Sequence, residues 1–126
     1  MVFLPYQQQY QGMIASHIPV NTLTATRTFA QRVAQAYPTQ KAILFGSRAR
    51  GTEHDESDAD VAIILKGASA PFIKTKMAMN DIAYDILLDT GIRIQPLPVW
   101  EAEWAHPENY SNPYLLKNIA RNGMTL

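Results

Sequence analysis

Two short apolar runs, each closed by a glycine, constrain the fold of this chain most. Residues 42–45 precede Gly46, and residues 61–65 precede Gly67. Apolar runs of this length, ended by a turn residue, are typical of strands that are buried on both faces. The segment between the two runs is polar and carries five acids within eight residues. We therefore predict two central strands joined by an acidic loop, with a short helix at residues 47–51.

Helical spacing of apolar residues predicts one helix before these strands and one after them. The first has Asn21 or Thr22 as its N-cap and ends before Pro38. The second covers residues 71–89, and Gly91 stands where a left-handed C-terminal residue is expected.

The remaining chain predicts a third strand and a last helix. Residues 91–100 alternate between apolar and polar at first, and Pro96 and Pro98 favour a position at the sheet edge for the far end. Asn112 is a candidate N-cap, and Gly123 a stop signal, for the last helix. This order of elements predicts an α/β (α+β) fold, in which a small mixed sheet packs against helices.

Length and charge limit the classes of function. A chain of 126 residues is the size of one domain. Eleven basic and eleven acidic residues cancel, so no overall field attracts nucleic acid or an anionic membrane, and direct nucleic-acid binding is not expected. Charged residues are 17% of the chain, which leaves room for an apolar surface that a partner covers.

Several absences narrow the site chemistry and the cellular location. The sequence has no cysteine, which excludes a disulfide scaffold and a thiol nucleophile, and makes the cytoplasm the default compartment. Its three histidines show no ligand spacing, so a zinc site is not expected. No run approaches a membrane span or a signal peptide. Residues 1–20 are predicted to form an irregular arm, with a helical turn at residues 8–16, before a single domain at residues 21–126.

Two tryptophans follow the predicted third strand. Trp100 and Trp104 are four residues apart, which on a helix places them on one face. We interpret them as core residues, with a partner-binding anchor as the alternative.

Asp58 and Asp60 are the strongest candidates for a metal site. They stand two residues apart at the start of the second strand, so the strand repeat places both side chains on one face. Two like charges so close are unfavourable unless a cation lies between them. Mg²⁺ binds one or two carboxylates and completes its shell with water and substrate phosphates. The other acids of the loop are interpreted as solvated.

The Gly46–Ser47 pair is a candidate phosphate-binding turn. Glycine at the end of a strand allows a ligand to approach the backbone, and the free N–H groups of a following short helix attract an anion. Ser47 adds a hydroxyl at the same point. Gly-Ser pairs are also common in ordinary turns, so this feature alone is weak.

The combined spacing resembles a known family. Gly46–Ser47, ten intervening residues and then Asp-Ala-Asp before an apolar strand are similar to the signature of the DNA polymerase beta type nucleotidyltransferase superfamily, in particular its minimal nucleotidyltransferase branch. The resemblance runs from about Thr22 onward and includes "GSRARG", "EAEW" and the closing "LLKNIARNGMTL".

The resemblance implies a role for each of these residues. Gly46 and Ser47 would contact nucleotide phosphates, and Asp58 and Asp60 would be catalytic Mg²⁺ ligands. Arg48 is a candidate for phosphate contact through its charge. Arg50 is a second candidate for phosphate contact, although either arginine is equally consistent with a solvated helix face.

One position departs from the family pattern. The family often has a third carboxylate on the next strand, where this chain has Arg93 and Gln95. Gln95 is the candidate for the third position; its carbonyl oxygen can coordinate a metal weakly, but it cannot accept a proton at neutral pH.

The resemblance also implies an activity and a partner. Minimal proteins of this kind resemble antitoxins that transfer AMP from ATP to a hydroxyl, here expected to be a tyrosine, of a HEPN-type toxin. Two alternatives remain. The chain is a binding module that neutralises its partner by contact, or it modifies a small molecule, with a homo-oligomer supplying the acceptor pocket.

Overall fold

The computed structural model describes residues 18–51 and 58–126. The predicted N-terminal arm and the acidic residues 53–56 lie outside the described residues, apart from the last few residues of the arm. In chain order the elements are α1 (Val20–Ala36), β1 (Thr39–Phe45), α2 (Ser47–Arg50), β2 (Ala59–Leu65), α3 (Phe72–Thr90), β3 (Ile94–Trp100), α4 (Glu101–Ala105), a 3-10 turn (Pro107–Asn109), α5 (Pro113–Asn122) and β4 (Met124–Thr125).

Four strands form one mixed sheet in the order β3-β2-β1-β4. β1 is antiparallel to β2 and to β4, whereas β2 and β3 are parallel and joined by the long helix α3. A parallel pair needs such a crossover connection, which α3 supplies. The predicted α+β fold with a mixed sheet is confirmed. The sheet has an additional strand, β4, which at two residues is too short to be predicted from the sequence.

Helices cover both faces of the sheet. α1 and α3 pack on one face, whose core residues include Phe29, Leu44, Val61, Ile63, Met79 and Ile86. α5 packs on the other face. The core between them consists of Ile43, Ala62, Ile64 and Val99 from the strands and Leu116 and Ile119 from α5. β1 and β2 contribute alternate residues to the two cores, as expected for strands buried on both faces.

β3 is an edge strand, as its prolines predicted, but it stays paired to β2 along its whole length. In a parallel pair, alternate residues direct their backbone groups toward the neighbouring strand. The carbonyl of Arg93, just before β3, accepts from the Ala59 N–H at 2.8 Å, which fixes this alternation. Pro96 and Pro98 therefore belong to the set that points away from β2, so the sheet loses no hydrogen bond.

The helix ends agree only partly with the predictions. α1 begins at Val20 with Pro19 as its N-cap, so the predicted caps Asn21 and Thr22 are wrong, and Thr22 is instead a buried helical residue. Two further signals, Gly91 and Asn112, are confirmed. Gly91 closes α3 with φ +75°, and the Asn112 side chain accepts from the Leu115 N–H at 3.3 Å.

The two tryptophans do not share a helix face, so that prediction is wrong. Trp100 is the last residue of β3 and is buried with the α1/α3 core. Trp104 lies on α4 and packs with the opposite core, where the Lys41 Nζ is 5.1 Å from its ring centroid. Both side chains pack against a core, as interpreted. Among the described residues, no helix is long and apolar enough to cross a membrane.

Candidate active site

Gly46 connects β1 to α2 in a conformation that other residues avoid. Its φ is +77° and its ψ is −158°, a region that is essentially restricted to glycine. A Cβ at this position would overlap the Asp60 carboxylate. The antiparallel register explains the contact, because Phe45 pairs directly with Asp60. The structure thus brings the predicted Gly-Ser turn against one of the two predicted acids.

Asp58 and Asp60 lie at the start of β2, Asp60 within the strand and Asp58 just before it. Burial, followed by the charge of Asp58, raises the pKa of Asp60 above its usual value, and Arg50 partly opposes the shift. The two carboxylates therefore interact across one face, as the strand repeat predicted. A bound cation would relieve this repulsion.

β3 and the residue just before it place two polar side chains beside Asp58. The Gln95 Nε2 donates to Asp58 Oδ2 at 3.2 Å, and the Arg93 Nε lies 3.9 Å from Asp58 Oδ1. Gln95 is also the register partner of Asp60 across the parallel pair. The structure therefore puts Gln95 next to both acids, where the third position was expected.

The residues present fit a hard divalent cation. Within the described ranges, no group of three or more His, Cys, Asp or Glu side chains is arranged to hold a metal. The available donors are the Asp58 and Asp60 carboxylates and the amide oxygen of Gln95, if its amide turns from its present bond to Asp58. A site of one or two carboxylates suits Mg²⁺, which retains positions for water and phosphate oxygens.

The two arginines of α2 have different surroundings. Arg48 is only 7% exposed, and its Nη1 donates to Thr22 Oγ1 of α1 at 2.9 Å. Arg50 is exposed and acts electrostatically on Asp60. Arg48 thus anchors the Gly-Ser turn to α1, and Arg50 is the arginine whose charge reaches the acids. Sequence reasoning did not find the Arg48–Thr22 bond, since one threonine in a helix carries no spacing signal.

Ser47 is the first residue of α2, directly after Gly46. The Arg50 N–H donates to the Gly46 carbonyl at 3.2 Å, which closes this single helical turn. Ser47 is therefore held between the strained glycine and the anchored Arg48. Gly46, Ser47, Asp58, Asp60 and Gln95 all belong to one end of the β1–β2–β3 sheet.

Comparison with known proteins assigns the chain to a family. The nucleotidyltransferase domain matches residues 26–119, which include the Gly-Ser turn, both acids and all of β3. The chain belongs to this family of nucleotidyltransferase domains.

Two relatives agree with this assignment. A protein of Methanocaldococcus jannaschii that carries the provisional name protein adenylyltransferase is 39% identical over 57 residues, which are 45% of this chain and 39% of that protein. The match thus spans about two fifths of the relative's length. A crystal structure of a provisionally named nucleotidyltransferase from Sulfolobus solfataricus aligns with a TM-score of 0.51 and 25% identity, over 67% of this chain and 71% of that chain.

Proposed function

We propose that this protein is an adenylyltransferase that moves AMP from ATP to a hydroxyl group of a partner protein. The observation that carries the proposal is the packing of Gly46 against Asp60, with Asp58 beside it, at the sheet end of a nucleotidyltransferase domain. The provisional name of the M. jannaschii relative supports adenylyl transfer to protein.

Each residue has a stated role in this proposal. The Gly46 backbone and the Ser47 hydroxyl contact the triphosphate, and Arg50 supplies a positive charge near the acids. Asp58 and Asp60 would hold Mg²⁺, which when bound would neutralise phosphate charge and help to align the acceptor with the leaving group. Gln95 orients Asp58 through the 3.2 Å hydrogen bond.

The reaction is an in-line displacement at the α-phosphorus of ATP. A bond forms between the acceptor oxygen and the α-phosphorus, and the bond from this phosphorus to the bridging oxygen breaks. Pyrophosphate leaves with the electron pair of that bond. The acceptor proton passes to water or to one of the two carboxylates, because Gln95 cannot accept it.

The acceptor has to come from another molecule, and we propose a HEPN-type toxin whose tyrosine receives AMP. The described part of the chain consists of one sheet with its covering helices and has no second domain that would hold an acceptor. Apolar side chains are exposed on its surface, as expected for a protein that acts on a bound partner. AMP on the tyrosine would silence the toxin, which makes this chain an antitoxin.

The test is incubation with α-labelled ATP and Mg²⁺ together with the co-purified partner. We expect label on the partner with the wild type, and a loss of at least ~1,000-fold with Asp58→Asn/Asp60→Asn, because both carboxylate ligands are removed. The double variant should fold normally, since it loses a like-charge repulsion. Undiminished labelling by the double variant would show that these are not the acids of the reaction.

Gln95 supports a second candidate function, neutralisation by contact. A glutamine beside Asp58 and opposite Asp60, in place of a carboxylate, is consistent with a nucleotidyltransferase domain that has lost turnover. In that case the same experiment gives an unlabelled partner that is still bound and inhibited. The double variant would then inhibit as well as the wild type.

A further inference from the structure

The helix α2 is a single turn that its own backbone bonds hold only weakly. The Arg50 N–H donates to the Gly46 carbonyl at 3.2 Å. The Gly51 N–H donates to the Ser47 carbonyl at the other end of the turn. A helix of four residues is not stable by itself in water. The place of α2 in the fold therefore depends on side-chain contacts with the rest of the molecule.

Two buried side chains connect α2 to the rest of the fold. Ala49 is 6% exposed and belongs to the core of the α1/α3 face. Arg48 is 7% exposed, and its Nη1 donates to Thr22 Oγ1 at 2.9 Å. The apolar contact of Ala49 has no preferred direction, whereas a hydrogen bond from a planar guanidinium does. The Arg48–Thr22 bond therefore sets the orientation of the turn.

Thr22 is a rigid support for this bond. It lies in the first turn of α1 and is fully buried, and its carbonyl accepts from Thr26 Oγ1 at 2.8 Å. α1 itself packs on the sheet through Phe29 and Val33, which are also fully buried. The core thus fixes the position of the Thr22 hydroxyl, and Arg48 connects that hydroxyl to α2.

A buried arginine at this point is unfavourable unless its direction matters. Removing a guanidinium from water costs free energy, and an apolar side chain would cover the same core surface at a lower cost. Ser47 precedes the arginine, and Gly46, one residue earlier, packs against Asp60. A displacement of α2 relative to α1 would therefore move the groups proposed to contact phosphate relative to the carboxylate.

We propose that Thr22 is a positioning residue, which through Arg48 holds the Gly46–Ser47 turn in the place where it binds the triphosphate of ATP. The inference depends on the proposed function and adds to it a residue that acts on the nucleotide without touching it. In this role Arg48 contributes through its bond to α1 and not through a contact with phosphate.

The same helix offers a matched control for the Thr22 hydroxyl. Thr26 is also fully buried, and its Oγ1 donates to the carbonyls of Thr22 and Leu23 at 2.8 and 3.2 Å, both within α1. Thr22→Val and Thr26→Val therefore make the same chemical change on one helix, but only Thr22→Val removes the hydrogen bond to α2. Thr22→Ser retains the hydroxyl and is the rescue variant.

The first measurement is amide hydrogen exchange of the full chain without nucleotide. Thr22→Val should speed exchange at Arg50 and Gly51 at least about tenfold relative to the amides of β2, because the turn opens locally. Thr26→Val and Thr22→Ser should leave this ratio unchanged. Equal ratios in Thr22→Val and Thr26→Val would overturn the inference, because Thr22 would then support the fold as a whole and not the turn.

The second measurement is the Kd of ATP in the presence of Mg²⁺, by calorimetry. Thr22→Val should weaken binding at least about tenfold, because the turn no longer holds its phosphate-binding geometry. Thr26→Val should have no effect, and Thr22→Ser should restore binding. Adding Arg48→Met to Thr22→Val should cause no further loss, since both changes break one bond. A further large loss would show that Arg48 contacts phosphate directly and would overturn the inference.

The double variant also keeps the test valid if Thr22→Val does not fold. It replaces both partners by apolar side chains and so leaves no buried guanidinium without its hydroxyl. We expect it to fold and to show the same faster exchange at Arg50 and Gly51. Exchange at the wild-type ratio in the double variant would overturn the inference.

The two measurements separate failure of this inference from failure of the proposed function. If the wild type does not bind ATP with Mg²⁺, the proposed function fails, and with it the positioning role, whatever the exchange shows. If the wild type and Thr22→Val bind ATP equally, the proposed function stands and the positioning role is wrong.

Discussion

Gly46 and Gly67 end the two central strands, and the sequence around them looks alike. Both adopt a positive φ, +77° and +88°, and both follow a buried apolar run. Their surroundings differ completely. A Cβ on Gly46 would overlap the Asp60 carboxylate, whereas a Cβ on Gly67 would meet nothing within 4 Å.

A carboxylate accompanies each glycine, but in a different relation. At Gly67 the Glu101 Oε1 accepts the glycine N–H at 3.0 Å, which caps the end of the strand. At Gly46 the Asp60 carboxylate occupies the space of the missing side chain. Gly67 is therefore required by its turn alone, while Gly46 is required both by its turn and by the acid that it accommodates. This second requirement distinguishes the end of the sheet that carries Asp58 and Asp60 from the end that carries Gly67.

The largest effect that tests this comparison is expected from an added methyl group. Gly46→Ala should reduce AMP transfer at least ~100-fold, because Asp60 has to move away from its working position. Gly67→Ala carries a similar backbone strain of about 1–3 kcal/mol without a clash, so transfer by the folded protein should be unchanged. Label transfer and urea unfolding of both variants measure the two effects. Similar activities of the two variants would remove the distinction between the two strand ends.

The next largest effect is expected from removing the contact that anchors the Gly46 end of the sheet to α1. Arg48→Met should lower the free energy of unfolding by about 1–3 kcal/mol, because the buried charge-assisted bond to Thr22 is lost. Thr22→Val removes the other partner. A double-mutant cycle should give a coupling of about 0.5–3 kcal/mol in urea unfolding. Strict additivity of the two changes would show that the pair does not hold the turn on α1.

The smallest expected effect is the change in stability when the charge of Asp60 is removed from the metal-free protein. Because burial and Asp58 raise the pKa of Asp60, the unfolded state ionises first as pH rises, and stability falls between the unfolded and folded pKa values. Asp60→Asn should therefore stabilise the protein at neutral pH, by less than about 1 kcal/mol for a half-exposed group. The gain should vanish at about pH 3, where both states are protonated.

Urea unfolding at the two pH values measures this change. The matched variant at the other strand end, Glu101→Gln, weakens a capping acceptor and should lower stability instead. A gain at neutral pH from Glu101→Gln, or none from Asp60→Asn, would contradict the assignment of strain to the Gly46 end.

The sequence was sufficient for the parts of the fold that depend on local pattern. Both central strands and the cap at Asn112 follow from apolar runs and turn residues, and the shared face of Asp58 and Asp60 follows from the strand repeat. The helical spacing of Trp100 and Trp104 misled because β3 ends at Trp100, and a spacing of four indicates one face only when a helix includes both residues.

The remaining parts of the site depend on strand register, which a local pattern does not contain. The contact of Gly46 with Asp60 requires Phe45 to pair with Asp60, and the position of Gln95 requires β3 to lie parallel to β2 in one alignment. Arg48 turns inward because Thr22 is within reach on α1, a relation between residues 26 positions apart. Composition and spacing identify the participants of the site, while the tertiary fold determines which of them touch.

The prolines of β3 have a consequence for how other proteins can associate with this one. The outward-facing backbone of this edge strand lacks its N–H donors at Pro96 and Pro98, so an added strand would find no backbone donor at these two positions. The other edge is β4, which offers two residues. The β3 edge is therefore a poor template for β-augmentation or for sheet-to-sheet aggregation. A partner that approaches this edge is recognised through side chains and carbonyl groups rather than through a full ladder of backbone hydrogen bonds.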